Sequence, residues 1–345
     1  MTKRTIEDFG FRIGSMPKGK RNAISDVPGV TVGHSTIDTR EHKTGVTVIM
    51  PCPDNMFQNK LTASVHILNG FGKSLGTVQV QELGTLESPI ALTNTLNVGL
   101  VHDALVSYMV TRCEREEIPL FSYNPVVGEC NDCHLNHIRE RAVKEEHVLE
   151  AILTASADFE QGDVGAGKGT ICYGLKGGIG SASRIMRLGD TEYHLGILVQ
   201  SNFGRTEDLT IAGQEIGKEL ISRIKPSETD KGSIISVLAT DLPLSSRQIH
   251  RVLKRLGIGL GRTGSHVGNG SGDIMIGFTT ANRIPDKKTP DDPFVPVQIL
   301  QENLMDTVFR AAIEAEEEAV LNSLAAADAV TGYQGYQVHA LSELL

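Results

Sequence analysis

The chain has 345 residues, of which 40% are hydrophobic and 22% are charged, and its formal net charge is −9. This composition predicts a folded protein with a sizeable core. The acidic balance argues against a nucleic-acid partner, because phosphate binding needs a clustered basic patch. We also predict no membrane segment, because no stretch reaches the roughly 18 apolar residues that a span requires.

Two further features concern the compartment of the protein. The first residues, MTKRTIEDFGFRIG, lack the apolar segment of a secretory signal. The chain has five cysteines, an odd number that indicates reduced thiols rather than a disulfide framework. We therefore expect a cytoplasmic protein.

The first two thirds of the chain mix predicted strands and helices. Strand candidates bounded by Gly, Pro or Asn are GVTVGHSTI, GVTVIMP, SVHILNG and PIALTNT. Apolar residues recur every three or four positions in VGLVHDALVSYMVTRCERE and VKEEHVLEAILTAS, which predicts two helices. A strand pair is predicted in TICYGLKGGIGSASRIM and YHLGILVQSNFG, whereas TIAGQEIGKELISRI is ambiguous.

The last third follows the most polar linker of the chain, KPSETDKG. It contains a predicted strand SIISVLAT, a helix SSRQIHRVLKRLGIGL, a strand DIMIGFTTAN, a proline-rich loop TPDDPFVP, and a long helix from QENLMDTV to AAADAV that is rich in Ala, Glu and Leu. Because the strands and helices do not alternate as regular βαβ units, the pattern favours a layered α+β fold over a doubly wound sheet.

The stretch GDVGAGKGT resembles a phosphate-binding loop. In such a loop a hydroxyl residue follows the lysine directly, but here Gly169 follows Lys168 and displaces the hydroxyl by one position. A nucleotide loop also needs a helix after it, so that the phosphate meets a helix N-terminus, and TICYGL is typical of a strand. The pattern favours a Gly-rich turn over a nucleotide site.

The stretch CNDCHLNH brings Cys130, Cys133, His134 and His137 together within eight residues. This spacing fits haem attachment or a compact zinc site. Covalent haem normally requires an export signal, and zinc usually needs a second, separated pair of ligands. We therefore expect no metal here, with a metal-binding segment as the open alternative.

The stretch GNGSGD carries Ser271 and Asp273 directly before a predicted strand. Its spacing does not fit the nucleophile elbow G-x-S-x-G. Two interpretations remain open from the pattern: a tight turn, or a hydroxyl and a carboxylate held side by side in a site at the edge of a sheet.

Taken together, these segments resemble the DmpA-type aminopeptidases, the family of L-aminopeptidase/D-esterases and β-peptidyl aminopeptidases. The stretches that carry the resemblance are NAISDVPGVTVGH, TGVTVIMP, PIALTNTLNVGLVHDA, PVVGECNDCHLN, GDVGAGKGTICYGLKGGIGSASR, GILVQSNFGR, GSIISVLATDLPL and GLGRTGSHVGNGSGDIMIGFTTAN. They run in order from Asn22 to Asn282, and the later EEEAVLNSLAAADAVTG also fits. The two segments considered above as nucleotide or metal sites, GDVGAGKGT and CNDCHLNH, fall inside this match.

The resemblance implies a single domain over residues 1–345 with an αββα sandwich, similar to the N-terminal nucleophile hydrolases but with the strand connectivity of this family and of the ornithine acetyltransferases. It also implies that the precursor cuts itself once before a serine. In this chain that bond is Gly232–Ser233, which gives an N-terminal subunit 1–232 and a C-terminal subunit 233–345. The quaternary habit of the family implies a tetramer of processed heterodimers.

The chemistry of the residues agrees with this cleavage site. A serine hydroxyl that attacks the preceding carbonyl needs an unhindered peptide, and Gly232 is small and flexible. Cleavage frees the α-amine of Ser233, whose ordinary pKa of about 7.7–8.0 suits a base at neutral pH better than a lysine near 10.4. Nucleophile and base then belong to one residue.

The resemblance implies roles for five further residues. Ser271 and Asp273 would hydrogen-bond the hydroxyl and amine of Ser233, although the family often has the longer Glu at the second position. Asn202 would donate its amide to the tetrahedral oxyanion. Glu129 would bind the substrate's ammonium group. Asn131 stands where some members have a tyrosine that helps the oxyanion. Taken one at a time, Asn202 and Ser271 are also typical turn residues, and Glu129 could be a surface carboxylate.

These predictions combine into a self-processing serine aminopeptidase that acts on small peptides, aminoacyl amides or esters through an acyl-enzyme on Ser233, without a metal or organic cofactor. An alternative is an acyltransferase of the ornithine acetyltransferase type, but those enzymes use threonine as nucleophile. An alternative from another class is an uncleaved module that binds metal or nucleotide.

Overall fold

The structure is a computed structural model that describes residues 4–224, 232–286 and 293–345. The linker KPSETDK and the first half of the TPDDPFVP loop lie outside the described residues. Within the described ranges, no helix combines the length and the apolar character needed to cross a membrane.

Strands and helices alternate irregularly along the chain, as predicted. In chain order they are β1 (Thr31–Asp38), β2 (Lys43–Met50), β3 (Asn59–Gly70), α1 (Thr77–Leu83), β4 (Thr85–Leu86), β5 (Ile90–Asn94), α2 (Val98–Arg115), β6 (Val126–Cys130), α3 (Glu145–Leu153), β7 (Ile171–Cys172), β8 (Leu175–Lys176), β9 (Gly178–Leu188), β10 (Thr191–Asn202), α4 (Gly217–Leu220), β11 (Ser233–Thr240), α5 (Ser246–Arg262), β12 (Gly272–Pro285), α6 (Met305–Ala325), β13 (Val330–Thr331) and β14 (Gln337–Val338).

Two sheets form the centre of the fold. One has the strand order β1-β2-β5-β6 and the other β4-β3-β12-β11-β10-β9. Helices α2 and α3 cover the outer face of the first sheet, and α5 and α6 cover the outer face of the second. Apolar side chains from the two inner faces pack against each other. The layers are therefore αββα, which confirms the predicted α+β sandwich.

Strand β11 lies inside the six-stranded sheet and is buried along its whole length. Its side chains alternate between two cores: Ile235 and Val237 point to the first sheet, and Ile234 and Leu238 point to the helices. A strand covered on both faces reads as a nearly continuous apolar run, which is why SIISVLAT was predictable. This packing holds Ser233, the first residue of the strand, in a fixed position.

Several segments differ from the sequence-based expectation, and helix α1 and the short strands β4, β13 and β14 were not predicted. Strand β6 was missed, because PVVGECND is short and contains a glycine and a carboxylate, both uncommon in strands. The ambiguous stretch 210–224 forms only the four-residue helix α4. The other predicted strands and helices are confirmed to within a few residues at their ends.

Glu316 is a fully buried carboxyl group within α6, behind the central strand. Its Oε1 accepts a hydrogen bond of 2.6 Å from the hydroxyl of Ser236 on β11. Burial raises the pKa of Glu316 from 4.5 to about 8, and the Ser236 hydroxyl opposes this shift. The side chain is therefore a neutral acid at pH 7.

This raised pKa predicts how stability depends on pH. The folded state holds a proton on Glu316 that the unfolded state releases near pH 4.5. The stabilisation that this proton gives the folded state is therefore complete below pH 4.5 and is lost as the pH rises through 8. We expect Glu316→Gln to remove this pH-dependent part of the free energy of unfolding, which is worth at most a few kcal/mol. The stability of the mutant relative to the wild type should therefore increase as the pH rises towards 8. Thermal unfolding midpoints at pH 5, 6, 7 and 8 measure the effect.

Asp306→Asn, at an exposed carboxylate of the same helix, is the control and should keep the pH dependence of the wild type. If the unfolding midpoints of Glu316→Gln and of the wild type change in parallel between pH 5 and 8, Glu316 does not titrate as the structure indicates.

Candidate active site

Three neighbouring interior strands bring four of the predicted site residues together at one end of the six-stranded sheet: Asn202, Ser233, Ser271 and Asp273. Ser233 begins β11 and pairs with Asn202, the last residue of antiparallel β10. On its other side Ser233 pairs with Gly272, the first residue of parallel β12. The strand register, rather than sequence proximity, therefore unites residues that are some 30 to 40 positions apart.

The SGD turn lies directly beside the Ser233 hydroxyl. The backbone N–H of Gly272 donates to Ser233 Oγ at 3.3 Å. Ser271 Oγ donates to Asp273 Oδ1 at 2.6 Å, and both side chains are buried. The segment therefore holds a hydroxyl and a carboxylate side by side at the start of β12, and such a pair was one of the two interpretations of its sequence. Hydrogen bonds from Ser271 and Asp273 to Ser233 itself stay a prediction.

The amide of Asn202 has a fixed orientation. Its Oδ1 accepts a hydrogen bond of 2.9 Å from the backbone N–H of Ile171, and the residue is buried. Because the oxygen is held in this way, Nδ2 is the end that can donate to a ligand. An amide donor beside a serine hydroxyl is the arrangement that stabilises a tetrahedral oxyanion.

Glu129 approaches the same site from the other sheet. It lies on β6 and is 3% exposed, so it is not the surface carboxylate that its sequence context allowed. Its Oε1 accepts from the backbone N–H of Lys73 at 3.0 Å, and its Oε2 accepts from the hydroxyl of Thr95. These donors keep a buried carboxylate oriented, and such a group can bind an ammonium ion.

Asn131 and Asp132 follow Glu129 and have different environments. Asn131 is exposed, and its Oδ1 accepts from the backbone N–H of Cys133 at 3.0 Å. Asp132 is 2% exposed, and burial raises its pKa to about 7, against hydrogen bonds from Thr44 and Asn136. Of these two residues, Asn131 is therefore the one that can contact a ligand.

A cavity of about 460 Å³ joins these groups. Its lining contains five of the predicted site residues, Glu129, Asn131, Asn202, Gly232 and Ser233. Aromatic side chains, Phe71 and Tyr336 among them, also line it. A partly apolar cavity of this size with a few convergent polar groups fits a small ligand, such as one or two amino-acid residues.

The peptide between Gly232 and Ser233 is closely confined. The Gly232 carbonyl accepts from the backbone N–H of Gly272 at 3.1 Å, so the donor that reaches Ser233 Oγ also reaches this carbonyl. A Cβ atom on residue 232 would lie 1.8 Å from the backbone oxygen of Asn202. Only glycine fits at this position without displacing the strand edge.

The four residues of CNDCHLNH do not converge on a common point for a metal. Cys130 is buried in the core, whereas Cys133 is exposed. His134 and His137 stack on tyrosine rings of the turn between β13 and β14. Among the described residues, no group of three or more His, Cys, Asp or Glu side chains could hold a metal ion.

GDVGAGKGT also lacks the geometry of a nucleotide loop. Gly165–Gly167 forms a single buried 3₁₀ turn, and strand β7 follows it where a nucleotide loop needs a helix. Lys168 pairs with the carboxylates of Asp38 and Asp163. The segment is therefore a Gly-rich structural turn, as its sequence favoured.

Sequence reasoning missed several groups that shape the site. They are the backbone N–H groups of Ile171 and Gly272, the hydroxyl of Thr95, and the amide of Asn69, which donates to the carbonyl oxygens of residues 268, 269 and 271. Backbone donors leave no trace in side-chain identity. The polar pair Asn94–Thr95 at the end of a buried strand was the one signal that could have been used.

Comparison with known proteins gives a consistent result. The model described as Peptidase family S58 matches residues 22–338. The beta-peptidyl aminopeptidase BapA of Sphingosinicella microcystinivorans is 37% identical, over 97% of this chain and 88% of that protein.

Solved structures agree in fold. The PH0078 protein of Pyrococcus horikoshii OT3 is 44% identical with a TM-score of 0.91, covering 99% of this chain and 97% of that one. The L-aminopeptidase D-Ala-esterase/amidase of Ochrobactrum anthropi, described as a prototype for the serine aminopeptidases with a variant Ntn hydrolase fold, is 37% identical with a TM-score of 0.90, covering 98% and 96%. The chain belongs to peptidase family S58 and has this variant of the N-terminal nucleophile hydrolase fold.

Proposed function

We propose that this protein is a self-processing serine aminopeptidase that releases the N-terminal residue from small peptides, aminoacyl amides or esters. The observation that carries the proposal is the position of Ser233, which begins a rigid central strand and lines the cavity. It pairs with Asn202 of β10 on one side and with Gly272 of β12 on the other, and the Gly272 N–H donates to its Oγ. The activities named for members of family S58 support the same reaction class.

The precursor cuts itself at the Gly232–Ser233 bond into fragments 1–232 and 233–345, which remain one domain. Ser233 Oγ attacks the Gly232 carbonyl carbon, the C–N bond breaks as the nitrogen takes a proton, and water hydrolyses the resulting ester. Two features support this: the Gly272 N–H polarises the Gly232 carbonyl, and the site tolerates only glycine before the serine. β10, β11 and β12 come from both fragments and hold them together.

In the mature enzyme the freed amine of Ser233 takes the proton of its own hydroxyl. Oγ then attacks the substrate carbonyl, and Asn202 donates to the oxyanion that forms. The amine returns its proton to the leaving nitrogen, and water hydrolyses the acyl-enzyme. Ser271 and Asp273 orient the hydroxyl and the amine, and Asn131 contacts the substrate near the mouth of the cavity.

Glu129 selects substrates with a free amine. Its carboxylate is oriented by two donors, and its contact with the cavity brings it within the same enclosed space as Ser233. An ammonium group bound there directs the first residue of a peptide into the cavity and its carbonyl towards Ser233. The chemistry requires no metal or organic cofactor.

An acyltransferase of the ornithine acetyltransferase type is the second candidate. It shares the layered architecture and self-cleavage, but its nucleophile is threonine, and position 233 is serine. Hydrolysis is therefore the favoured outcome for the acyl-enzyme.

The first test is Ser233→Ala. We expect wild-type protein to show two fragments on a denaturing gel, with masses that match residues 1–232 and 233–345, and the mutant to show one intact chain. Hydrolysis of aminoacyl p-nitroanilides should fall by at least about 10³-fold, because no covalent intermediate can form.

Ser222→Ala, at an exposed serine outside the cavity, is the matched control and should process and turn over like the wild type. An uncut Ser233→Ala protein that retains wild-type turnover would exclude Ser233 as the nucleophile and refute the proposed function.

The second test is Glu129→Gln. Loss of the carboxylate should lower kcat/KM about 10- to 100-fold for substrates with a free amine, the usual effect of losing a charged hydrogen bond. The kcat/KM for matched substrates without a free amine should fall by a smaller factor. Glu82→Gln, at an exposed carboxylate, should affect neither class. Equal losses for both classes of substrate would remove Glu129 from amine binding.

We place the protein in the cytoplasm as a tetramer of processed heterodimers. Its cysteines, Cys52, Cys113, Cys130, Cys133 and Cys172, are free thiols, which fits a reducing compartment.

The exposed apolar side chains of Val78, Phe121 and Leu153 offer surface for subunit contacts in the proposed tetramer. Light scattering should give about four times the mass of one chain; a monomer mass would contradict the assembly.

A further inference from the structure

Lys176 is a fully buried lysine behind the candidate site. It ends strand β8, and its side chain has no exposure to solvent. Its Nζ donates to the backbone carbonyls of Gly167 at 2.8 Å, Thr170 at 2.8 Å and Gly177 at 2.7 Å. Three acceptors match the three protons of an ammonium group, so every N–H donor of the charged side chain has a partner.

One of these carbonyls connects Lys176 to Asn202. The peptide group between Thr170 and Ile171 accepts from Lys176 Nζ through its carbonyl and donates through its N–H to Asn202 Oδ1 at 2.9 Å. Two amides thus stand in series between the ammonium and the side-chain nitrogen of Asn202. The backbone carbonyl of Thr170 also accepts from the N–H of Gly177 at 3.2 Å, which fixes the plane of this peptide.

The charge at one end of this series affects the donor at the other end. An ammonium at a carbonyl oxygen draws electron density along the amide and makes its N–H a stronger donor; the next amide responds in the same way. Lys176 and Thr170 are fully buried and Asn202 is 8% exposed, so little water screens the effect. A charged Lys176 would therefore polarise the amide nitrogen of Asn202 before any substrate binds.

We propose that Lys176 is a positioning residue for oxyanion stabilisation: through the Thr170–Ile171 peptide it orients and polarises the amide of Asn202. The inference rests on the proposed function, in which Asn202 donates to the oxyanion. Lys176 contacts neither substrate nor Ser233, and its effect reaches the reaction through Asn202.

The charge of Lys176 is sensitive to pH. Burial lowers its pKa from 10.5 to about 7; the charges of Asp163, Cys172 and Asp132 oppose this shift, and Lys168 adds to it. As pH rises through this range the ammonium loses its charge, and the polarisation of the amide series weakens. We therefore expect the kcat of the wild type to lose part of its value on the alkaline side.

The test is a double-mutant cycle of Lys176→Met and Asn202→Ala in the processed enzyme, with fragment masses checked before kinetics. Lys176→Met should lower kcat about tenfold and leave KM within about threefold, because the oxyanion exists only in the transition state. In the Asn202→Ala background the same change should alter kcat by less than about twofold, since the group it acts through is absent.

Lys168→Met is the matched control. Lys168 is a second buried lysine of the same segment, but it pairs with carboxylates and does not contact the Thr170–Ile171 peptide. Because Lys168 lowers the pKa of Lys176, kcat is compared at about pH 6, where Lys176 is mostly charged with or without Lys168, and the effect of Lys168→Met on kcat should then be the same in both backgrounds. An equal loss for Lys176→Met in both backgrounds would overturn the inference and leave the proposed function standing, whereas the proposed function itself fails only if Ser233→Ala remains active.

A second measurement does not depend on a Lys176 variant that folds. The pH profile of kcat for an ester substrate is compared between the wild type and Asn202→Ala. The alkaline decrease should appear in the wild type and be absent from the mutant. Identical profile shapes for the two proteins would also overturn the role of Lys176.

Discussion

The burial of β11 on both faces is the constraint on which the rest of the site depends. Its side chains alternate between the core shared by the sheets and the core beneath the helices, so the strand cannot slide or turn without exposing one set. Ser233 is therefore held at the start of an interior strand with little freedom to move. Every other element of the site is positioned relative to this residue by strand pairing or by contact between the sheets.

The proposed chemistry uses two kinds of hydrogen-bond donor, and neighbouring groups fix the orientation of each. Gly272 contributes a backbone N–H whose direction follows from the parallel pairing of β11 and β12. Asn202 contributes a side-chain amide whose orientation follows from the bond to Ile171 and, through the same peptide, from Lys176. Preorganised donors of this kind stabilise developing charge without reorganising during the reaction. The buried lysine extends this support beyond the residues that line the cavity.

Much of the fold was accessible from the sequence because burial leaves a periodic trace. The doubly buried strands appear as apolar runs and the amphipathic helices as three- and four-residue spacings. Strand β6 was missed for a physical reason: it carries Glu129, and a carboxylate in a short segment indicates a loop. The charge is buried there because the N–H of Lys73 and the hydroxyl of Thr95 satisfy it, and both come from other segments.

The sequence by itself determined a layered α+β fold and the family resemblance, because both depend on residue types in a local order. The resemblance in turn implied the αββα architecture, the candidate nucleophile Ser233 and the glycine before it. It could not show that Asn202, Ser233 and Gly272 are lateral neighbours, since that follows from strand register across the sheet. Nor could it connect Lys176 with Asn202, because the link runs through a backbone peptide whose chemistry is the same for every residue type. Those relations arise only when the chain packs.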